Sequence, residues 1–249
     1  MRTRHLFCAH SGNAKTPRKK SRSDELSLLP MKDCNDNVLS RMAETPLFAG
    51  LPETDLISLA TALNVRVKIC EIAELVMHEH SPASEIVCVL AGRLHVYECG
   101  LKDGSRHLVH SLSPGEVYGA SFPVLDLTTS PGMLVAAEVT RILVFKVDAV
   151  RQVMASGTHP KFVANLYAAA VHQGFAAWRK VAILSCYEIA DRVLLYLQER
   201  SAEPDAEPIH PSELAAYLGV NRTAIYRAFD KLKKNEKTES LVRLYVKMR

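Results

Sequence analysis

The residues best suited to chemistry lie near the C-terminus, in the segment HPSELAAYLGVNRTAIYRAFDKLKK at positions 210–234. Arg222 and Arg227 fall within the second half of this segment, and Lys231 follows about one helical turn later. In the DNA major groove, arginine can donate to two acceptors of one guanine, whereas lysine neutralises phosphate. These residue types at this spacing therefore indicate double-stranded DNA as a partner.

Two short helices are needed to position these side chains, and the surrounding apolar residues predict both. Each helix has one apolar face at helical spacing, with Leu214, Ala215 and Leu218 in the first and Ile225, Ala228, Phe229 and Leu232 in the second. Gly219 separates the helices, and Asn221 is placed to cap the second one through its side chain. We therefore predict a helix-turn-helix with the following DNA-contacting residues: Ser212, Asn221, Arg222, Thr223, Tyr226, Arg227 and Lys231.

The distribution of charge along the chain supports a nucleic-acid partner. Residues 1–23 carry seven Lys or Arg and no acid, and residues 221–249 carry nine against three acids. The net charge of the whole chain is +4, so residues 24–220 carry −9. A basic terminal module on an acidic body is the electrostatic footprint of a nucleic-acid-binding protein.

Composition and motifs exclude several classes of protein. At 249 residues the chain is long enough for two globular domains, and no apolar run reaches the roughly 18 to 20 residues that span a bilayer. We therefore expect a soluble, cytoplasmic protein with no membrane partner. The six cysteines form no CxxC pair, and no Ser/His/Asp, HExxH or phosphate-loop arrangement is present, so neither a zinc site nor an enzyme is predicted.

The residue composition and spacing change along the chain and predict four parts. Residues 1–40 are basic and polar and are predicted to be a disordered arm. Residues 41–150 contain short runs rich in Val, Ile and Leu between turn residues, which is typical of an antiparallel β-roll. Residues 151–184 return to helical spacing, and residues 185–249 hold the helix-turn-helix.

The helical part is dominated by one long helix, predicted from about Pro160 to Leu184. Its apolar residues recur at helical spacing, and small residues such as Ala169 and Ala176 allow a second helix to approach closely. We interpret this helix as the seam of a homodimer. The alternative interpretation is that it packs only on its own β-roll.

This order of β-roll, long helix and C-terminal helix-turn-helix resembles the cyclic-AMP receptor protein/FNR family of bacterial transcription regulators. The resemblance runs from about Leu47 to the C-terminus, and its most specific segments are LSPGEVYG at 112–119 and LAAYLGVNRTAIYR at 214–227. It implies an α+β chain with an N-terminal double-stranded β-helix (jelly-roll) sensor domain, a long dimerisation helix and a C-terminal winged helix-turn-helix. Because the family's Gly-Leu-Ile wing turn is missing, only one wing strand is expected, at 241–246.

The resemblance also implies how DNA is read. Recognition helices of the family commonly read Ser/Asn-Arg-Glu-Thr-Val-x-Arg, and both arginines are kept here, as Arg222 and Arg227. Thr223 stands where many members have a glutamate that accepts from cytosine, so the half-site is expected to differ at that base pair. The implied function is an effector-responsive homodimeric regulator that reads a palindrome and recruits or blocks RNA polymerase. The alternative is a ligand-binding regulatory module that acts on a protein partner.

The resemblance places an effector pocket between the β-roll and the long helix. Its predicted lining is Tyr118, Gly119, Ala120, Ser121, Met133, Leu134, Val171, Phe175 and Trp178. Cyclic AMP is disfavoured as the effector, because the segments 119–122 and 130–133 lack the ribose-binding glutamate and phosphate-binding arginine of the family. A cyclic phosphate without a cation would lose its hydration uncompensated.

The remaining effector classes are a small molecule or a gas. An iron–sulfur cluster is disfavoured because Cys8 and Cys34 are 26 residues apart and have no nearby cysteines. Gas sensors of the family ligate haem through histidine or methionine, so His95, His110 and His172 are candidate haem ligands. The haem-dependent nitrosative-stress regulators are a loose analogy here, since a lone histidine more often has a structural role.

Overall fold

The computed structural model describes residues 33–100, 106–202 and 208–246. Helix α1 (Asp33–Ala43), a 3-10 turn (Pro46–Phe48) and helix α2 (Glu53–Ala62) precede the first strand. Residues 33–40, the end of the predicted disordered arm, are therefore helical, and the rest of that arm lies outside the described residues. The physical reason is that α1 continues to Met42, which is fully buried in the core of the β-roll.

Eight strands form the predicted β-roll. They are β1 (Arg66–Cys70), β2 (Leu75–Met77), β3 (Glu85–Ala91), β4 (Leu94–Cys99), β5 (Arg106–Leu112), β6 (Val117–Tyr118), β7 (Met133–Ala136) and β8 (Thr140–Lys146), with a short helix α3 (Ser121–Val124) after β6. Two antiparallel four-stranded sheets result, in the orders β1-β8-β3-β6 and β2-β7-β4-β5. Alternate side chains such as Leu94, Val96 and Leu134 are buried in one shared core, as expected for sheets with one apolar face.

Two helices follow the β-roll, α4 (Val147–Ser156) and α5 (Pro160–Ser185). The 26-residue α5 confirms the predicted long helix, including its start at Pro160, where a missing backbone N–H costs nothing. The first half of α5 is anchored in the core of the β-roll, because Phe162 stacks on Phe48 with 5.5 Å between the ring centroids.

Four helices form the C-terminal part of the described chain: α6 (Ile189–Ser201), α7 (Pro211–Leu218), α8 (Arg222–Leu232) and α9 (Glu236–Tyr245). They enclose a second hydrophobic core, to which α7 contributes Leu214 and Leu218 and α8 contributes Ile225 and Phe229. The predicted helix-turn-helix and both of its apolar faces are therefore confirmed. None of the described helices is long and apolar enough to cross a membrane.

The prediction of a wing strand at 241–246 is wrong. Residues up to Tyr245 belong to α9, and only Val246 takes part in an isolated β-bridge. The segment LVRLYV suits an amphipathic helix as well as a strand, and a helix N-cap residue before it favours the helix. The Asn235 side chain accepts a hydrogen bond from the Lys237 amide at 3.0 Å, which starts a helix.

Gly219 permits the tight turn between α7 and α8, because it adopts the left-handed conformation with φ +65°. We predict that Gly219→Ala destabilises the helix-turn-helix by about 1–2 kcal/mol, since a Cβ is strained in this conformation whatever its surroundings. Gly219→Asn should be less destabilising, because asparagine tolerates this region better. Denaturant unfolding of the three proteins measures the effect, and equal stability of the alanine variant and the wild type would contradict this explanation.

Candidate nucleic-acid interface and effector cavity

Helix α8 turns one face to the core and the other outward. Ile225 and Phe229 are buried, whereas Arg222, Thr223 and Arg227 are exposed. We call five of the exposed residues the reading face, namely Arg222, Thr223, Tyr226, Arg227 and Lys231; the acidic Asp230 is exposed on the same side of the helix. The predicted exposure of these side chains is confirmed. They lie close together because the 3.6-residue repeat of an α-helix places them on one side of α8.

The other predicted DNA-contacting residues take different positions. Asn221 caps α8, since its side-chain oxygen accepts a hydrogen bond from the Ala224 amide at 2.8 Å, as predicted. Ser212 is exposed in the first turn of α7. Lys231 forms an ion pair with Glu188, which precedes α6, and the hydrogen bond to this carboxylate raises the pKa of the lysine.

The geometry of α8 suits the major groove of DNA. An α-helix with its side chains is about as wide as the groove, which is about 12 Å across. Arg222 and Arg227 supply planar donors for guanine or phosphate, and Thr223 supplies a short hydroxyl between them. The reading face can therefore contact bases and backbone while the opposite face stays in the core.

A second candidate site is a cavity between the β-roll and α5. Its volume is about 140 Å³, and its lining includes Glu98, His110, Tyr118 and Gln173. The Tyr118 hydroxyl lies 2.9 Å from Ser130 Oγ and accepts from the Gly132 amide at 3.1 Å. Among the described residues that line this effector cavity there is no arginine or lysine.

Of the β-roll residues predicted to line the effector pocket, only some line this cavity. Tyr118 lines it. Gly119 and Ala120 form the turn after β6, and Ser121 begins α3. Met133 and Leu134 lie on β7 and are buried, Leu134 within the core cluster of the β-roll.

The residues predicted for the helix side of the pocket do not line this cavity. Val171, Phe175 and Trp178 are 69%, 53% and 63% exposed and lie on the outer face of α5. The cavity is lined instead by Gln173 and Ala176, half a helical turn away. The physical reason is that alanine and glutamine let α5 approach the sheet closely. The bulky side chains on the opposite face of α5 therefore point away from the sheet.

The three candidate haem ligands have different surroundings. His95 Nδ1 lies 3.0 Å from the Tyr97 hydroxyl, and His110 Nε2 lies 2.9 Å from Glu116 Oε1. His172 is exposed on α5 and lines a separate groove. Within the described ranges, no group of three or more His, Cys, Asp or Glu is placed to hold a metal ion.

Glu213 links the helix-turn-helix to the β-roll, a role that sequence analysis missed. Its Oε1 accepts a hydrogen bond from Ser111 Oγ at 3.3 Å and lies 3.5 Å from Arg93 Nη1. His95 Nε2 is 3.7 Å from the same oxygen. Burial alone raises the pKa of this carboxyl, but His95, Arg93 and Ser111 together outweigh that effect and hold the pKa below its usual value.

Lys180 on α5 makes a second link between the same parts. Its ammonium donates to the backbone carbonyl oxygens of Leu108 and Val109 and lies 4.4 Å from the ring centroid of Tyr217 on α7. Burial lowers the pKa of Lys180 from 10.5 to about 8, although the charge of Glu98 acts in the opposite direction. The lysine is thus partly desolvated where three elements meet.

One feature of the sequence pointed to these residues. Gln173, Ala176 and Lys180 follow an i, i+3, i+7 spacing and share one face of α5. Val171 and Trp178 share the opposite face. Polar and small residues on one face, opposite bulky apolar ones, indicate two different neighbours for the helix.

Comparison with known proteins identifies the class of fold. No protein-family model matches the sequence, and no curated protein matches it. Among solved structures, the c-di-GMP-responsive global regulator CLP of Xanthomonas campestris matches with a TM-score of 0.57 at 19% identity, over 70% of this chain and 89% of that chain. FixK2 from Bradyrhizobium japonicum matches with a TM-score of 0.59 at 19% identity, over 74% and 99%. A CooA mutant from Carboxydothermus hydrogenoformans matches with a TM-score of 0.57 at 15% identity, over 70% and 79%.

These similarities show that the chain has the fold of the cyclic-AMP receptor protein/FNR regulators. The resemblance predicted from the motifs is confirmed at this level. Since the identities lie between 15% and 19%, the effector and the DNA site have to be argued from the residues of this chain.

The buried position of Lys180 predicts a pH dependence of stability. Its pKa of about 8 in the folded protein is below the ordinary 10.5, so between these pH values the unfolded chain binds more protons. The free energy of unfolding of the wild type should therefore rise across this interval relative to that of Lys180→Met, which has no ammonium. Denaturant unfolding at several pH values measures the difference. A difference that does not change with pH would contradict the desolvation of Lys180.

Proposed function

We propose that the chain is a homodimeric DNA-binding transcription regulator whose DNA affinity responds to a small effector. The observation that carries the proposal is the reading face, on which Arg222, Thr223 and Arg227 project from a helix whose opposite face fills a core. CLP, one of the proteins with this fold, is described as linking cell–cell signalling to virulence gene expression. The proposed regulator acts by binding rather than by catalysis, and it recruits or blocks RNA polymerase.

A second copy of the chain is the partner we propose for the outer face of α5. This face carries an apolar stripe whose members are 45% to 69% exposed: Tyr167, Val171, Phe175, Trp178 and Val181. The rings of Phe175 and Trp178 are stacked with 5.5 Å between centroids, so part of the surface is already ordered. Steps of three and four residues along the stripe are typical of a two-helix seam. A two-fold axis along this seam would present two copies of α8 to a palindrome.

We propose that the effector is small and carries no phosphate. The cavity of about 140 Å³ is below the roughly 300–1,000 Å³ typical of sites for larger ligands. Its lining contains the carboxylate of Glu98 and, among the described residues, no arginine or lysine, so an anion would be repelled rather than neutralised. The Gln173 amide in the lining can orient a neutral molecule. Cyclic AMP is therefore not the effector we propose.

Haem does not fit this cavity. A macrocycle needs more than the volume of about 140 Å³, and the one candidate ligand in the lining, His110, is hydrogen-bonded to Glu116. A small gas or another small neutral molecule, bound without haem, fits the space better. A regulatory module that acts on a protein partner would leave the reading face without a role.

Replacing Arg227 tests the DNA-binding proposal. The target is first selected from random DNA with the wild-type protein, and affinities are then measured by fluorescence anisotropy at one salt concentration. We expect Arg227→Ala to weaken binding to the selected site by about 1–3 kcal/mol with little effect on random DNA. Arg243→Ala is the matched control, because it removes the same charge from an exposed position on α9. An equal loss on both kinds of DNA would contradict base reading, and failure to select any site would contradict the function.

Replacing Trp178 tests the dimer seam. A glutamate at this position would bury an unpaired charge between two helices, so Trp178→Glu should raise the dimer dissociation constant by about 100-fold or more. Ile72→Glu is the control, because Ile72 is 65% exposed, close to the 63% of Trp178, and lies outside the stripe. Sedimentation equilibrium measures both variants. A monomeric wild type, or equal effects of the two substitutions, would contradict the seam.

A further inference from the structure

Tyr118 lines the effector cavity, although its side chain is almost completely buried at 5% exposure. It ends strand β6, and its ring meets the ring of Phe122 edge-on with 5.6 Å between the centroids. Gly119 leaves room for this contact, since a Cβ at that position would lie 2.9 Å from the Phe122 ring. The phenol is therefore held firmly in the wall of the cavity.

The hydroxyl of Tyr118 is already hydrogen-bonded within the protein. It accepts a hydrogen bond from the Gly132 amide at 3.1 Å. Its single hydrogen is within reach of two acceptors, Ser130 Oγ at 2.9 Å and the Gly132 carbonyl oxygen at 3.2 Å. Burial raises the pKa of Tyr118 above its usual value, so the hydroxyl keeps this hydrogen at neutral pH. The phenol thus behaves like a bound ligand that is also part of the chain.

The polar groups that receive this hydroxyl are held in place by the β-roll itself. We call them the polar cradle: Ser130 Oγ and the backbone N–H and C=O of Gly132. Ser130 is fully buried, its amide donates to the Ser81 carbonyl oxygen at 2.8 Å, and its own carbonyl oxygen accepts from the His80 amide at 2.8 Å. Gly132 fits closely against β4, because a Cβ there would lie 3.0 Å from Val96 Cγ1. The cradle therefore does not depend on Tyr118 for its position.

The space that remains beside the phenol is small. Its volume is about 140 Å³, and a cavity of roughly 150 Å³ is large enough for a benzene-sized molecule. The phenol of Tyr118 is itself of this size, so it takes the room that a further ring of an effector would need. Because the cradle is already satisfied, an effector gains its polar contacts from other parts of the lining, such as Gln173 and His110.

We propose that Tyr118 is the specificity-determining residue of the effector cavity, in which its phenol is a built-in ligand of the polar cradle. This role rests on the proposed effector site and defines the class of molecule that the site takes. Effectors are compact molecules that fit between the phenol and the Gln173–Ala176 face of α5. Larger molecules that carry a ring and a hydroxyl to the cradle are excluded by the tyrosine.

Truncation of Tyr118 tests this role with a probe that copies the lost side chain. The probe is p-cresol, and toluene is the matched probe of similar shape without the hydroxyl. The full-length wild type is compared with Tyr118→Ala, Tyr118→Phe and the control Tyr97→Ala. Tyr97 is a half-buried tyrosine on β4 whose hydroxyl lies 3.0 Å from His95 Nδ1, outside the described lining of the cavity. Calorimetric titration and the Tm with and without each probe measure binding, and hydrogen–deuterium exchange follows the Gly132 amide.

We expect Tyr118→Ala to bind p-cresol, because the ring refills the vacated space and the hydroxyl returns to the cradle. Toluene should bind about tenfold more weakly, since it leaves the polar groups of the cradle unpaired. The wild type, Tyr118→Phe and Tyr97→Ala should bind neither probe. In Tyr118→Phe the Gly132 amide loses its acceptor, so it should exchange faster than in the wild type. If Tyr118→Ala does not fold alone, p-cresol in the refolding buffer should restore its fold.

The opposite results would overturn the proposal. Binding of p-cresol to the wild type as tight as to Tyr118→Ala overturns it, and so does a Tyr118→Ala protein that does not respond to p-cresol, whether folded or unfolded. Equal affinities for the two probes, with unchanged exchange of the Gly132 amide, overturn the part assigned to the hydroxyl. Affinity for the selected DNA site is measured separately. If Tyr118→Ala binds p-cresol but no protein in the set binds DNA, the role of Tyr118 stands and the DNA-binding proposal is overturned.

Discussion

The packing of α5 against the β-roll is the constraint on which the other functional elements depend. The stack of Phe162 on Phe48 anchors the first half of the helix, and this sets its rotation about its own axis. That rotation decides that Gln173 and Ala176 meet the effector cavity and that the apolar stripe faces outward. Because only three residues separate α5 from α6, the same anchor also restricts where α6 begins.

Local signals in the sequence were sufficient for the helix-turn-helix. The apolar spacing of α8, the asparagine cap at Asn221 and the glycine at Gly219 each act within a few residues, and all three were found as predicted. The β-roll was predictable for a similar reason, since short apolar runs between turn residues have few alternatives. The C-terminal helix α9 was not predicted, because its apolar residues satisfy the period of a strand and of a helix alike.

Contacts between distant parts of the chain could not be predicted from local sequence patterns. Glu213 meets Arg93 and Ser111, which lie 120 and 102 positions earlier, and no local pattern marks such a pair. The α5 residues that line the effector cavity were not predicted, for the same reason. Two faces of α5 were available, and only the packing with the β-roll determines which of them meets the cavity. Assigning Trp178 to the cavity relied on the family resemblance, whereas the apolar and polar faces of α5 already differed in sequence.

The joint between α5 and α6 has a mechanical consequence. Only three residues separate Ser185 from Ile189, and one of them, Tyr187, is 97% exposed and so little restrained by packing. A helix of 26 residues is about 39 Å long, so a tilt of about 5° at its anchored end moves the other end by about 3 Å. That distance is about the length of a hydrogen bond. A tilt of α5 by a few degrees would therefore be enough to make or break a contact at its far end.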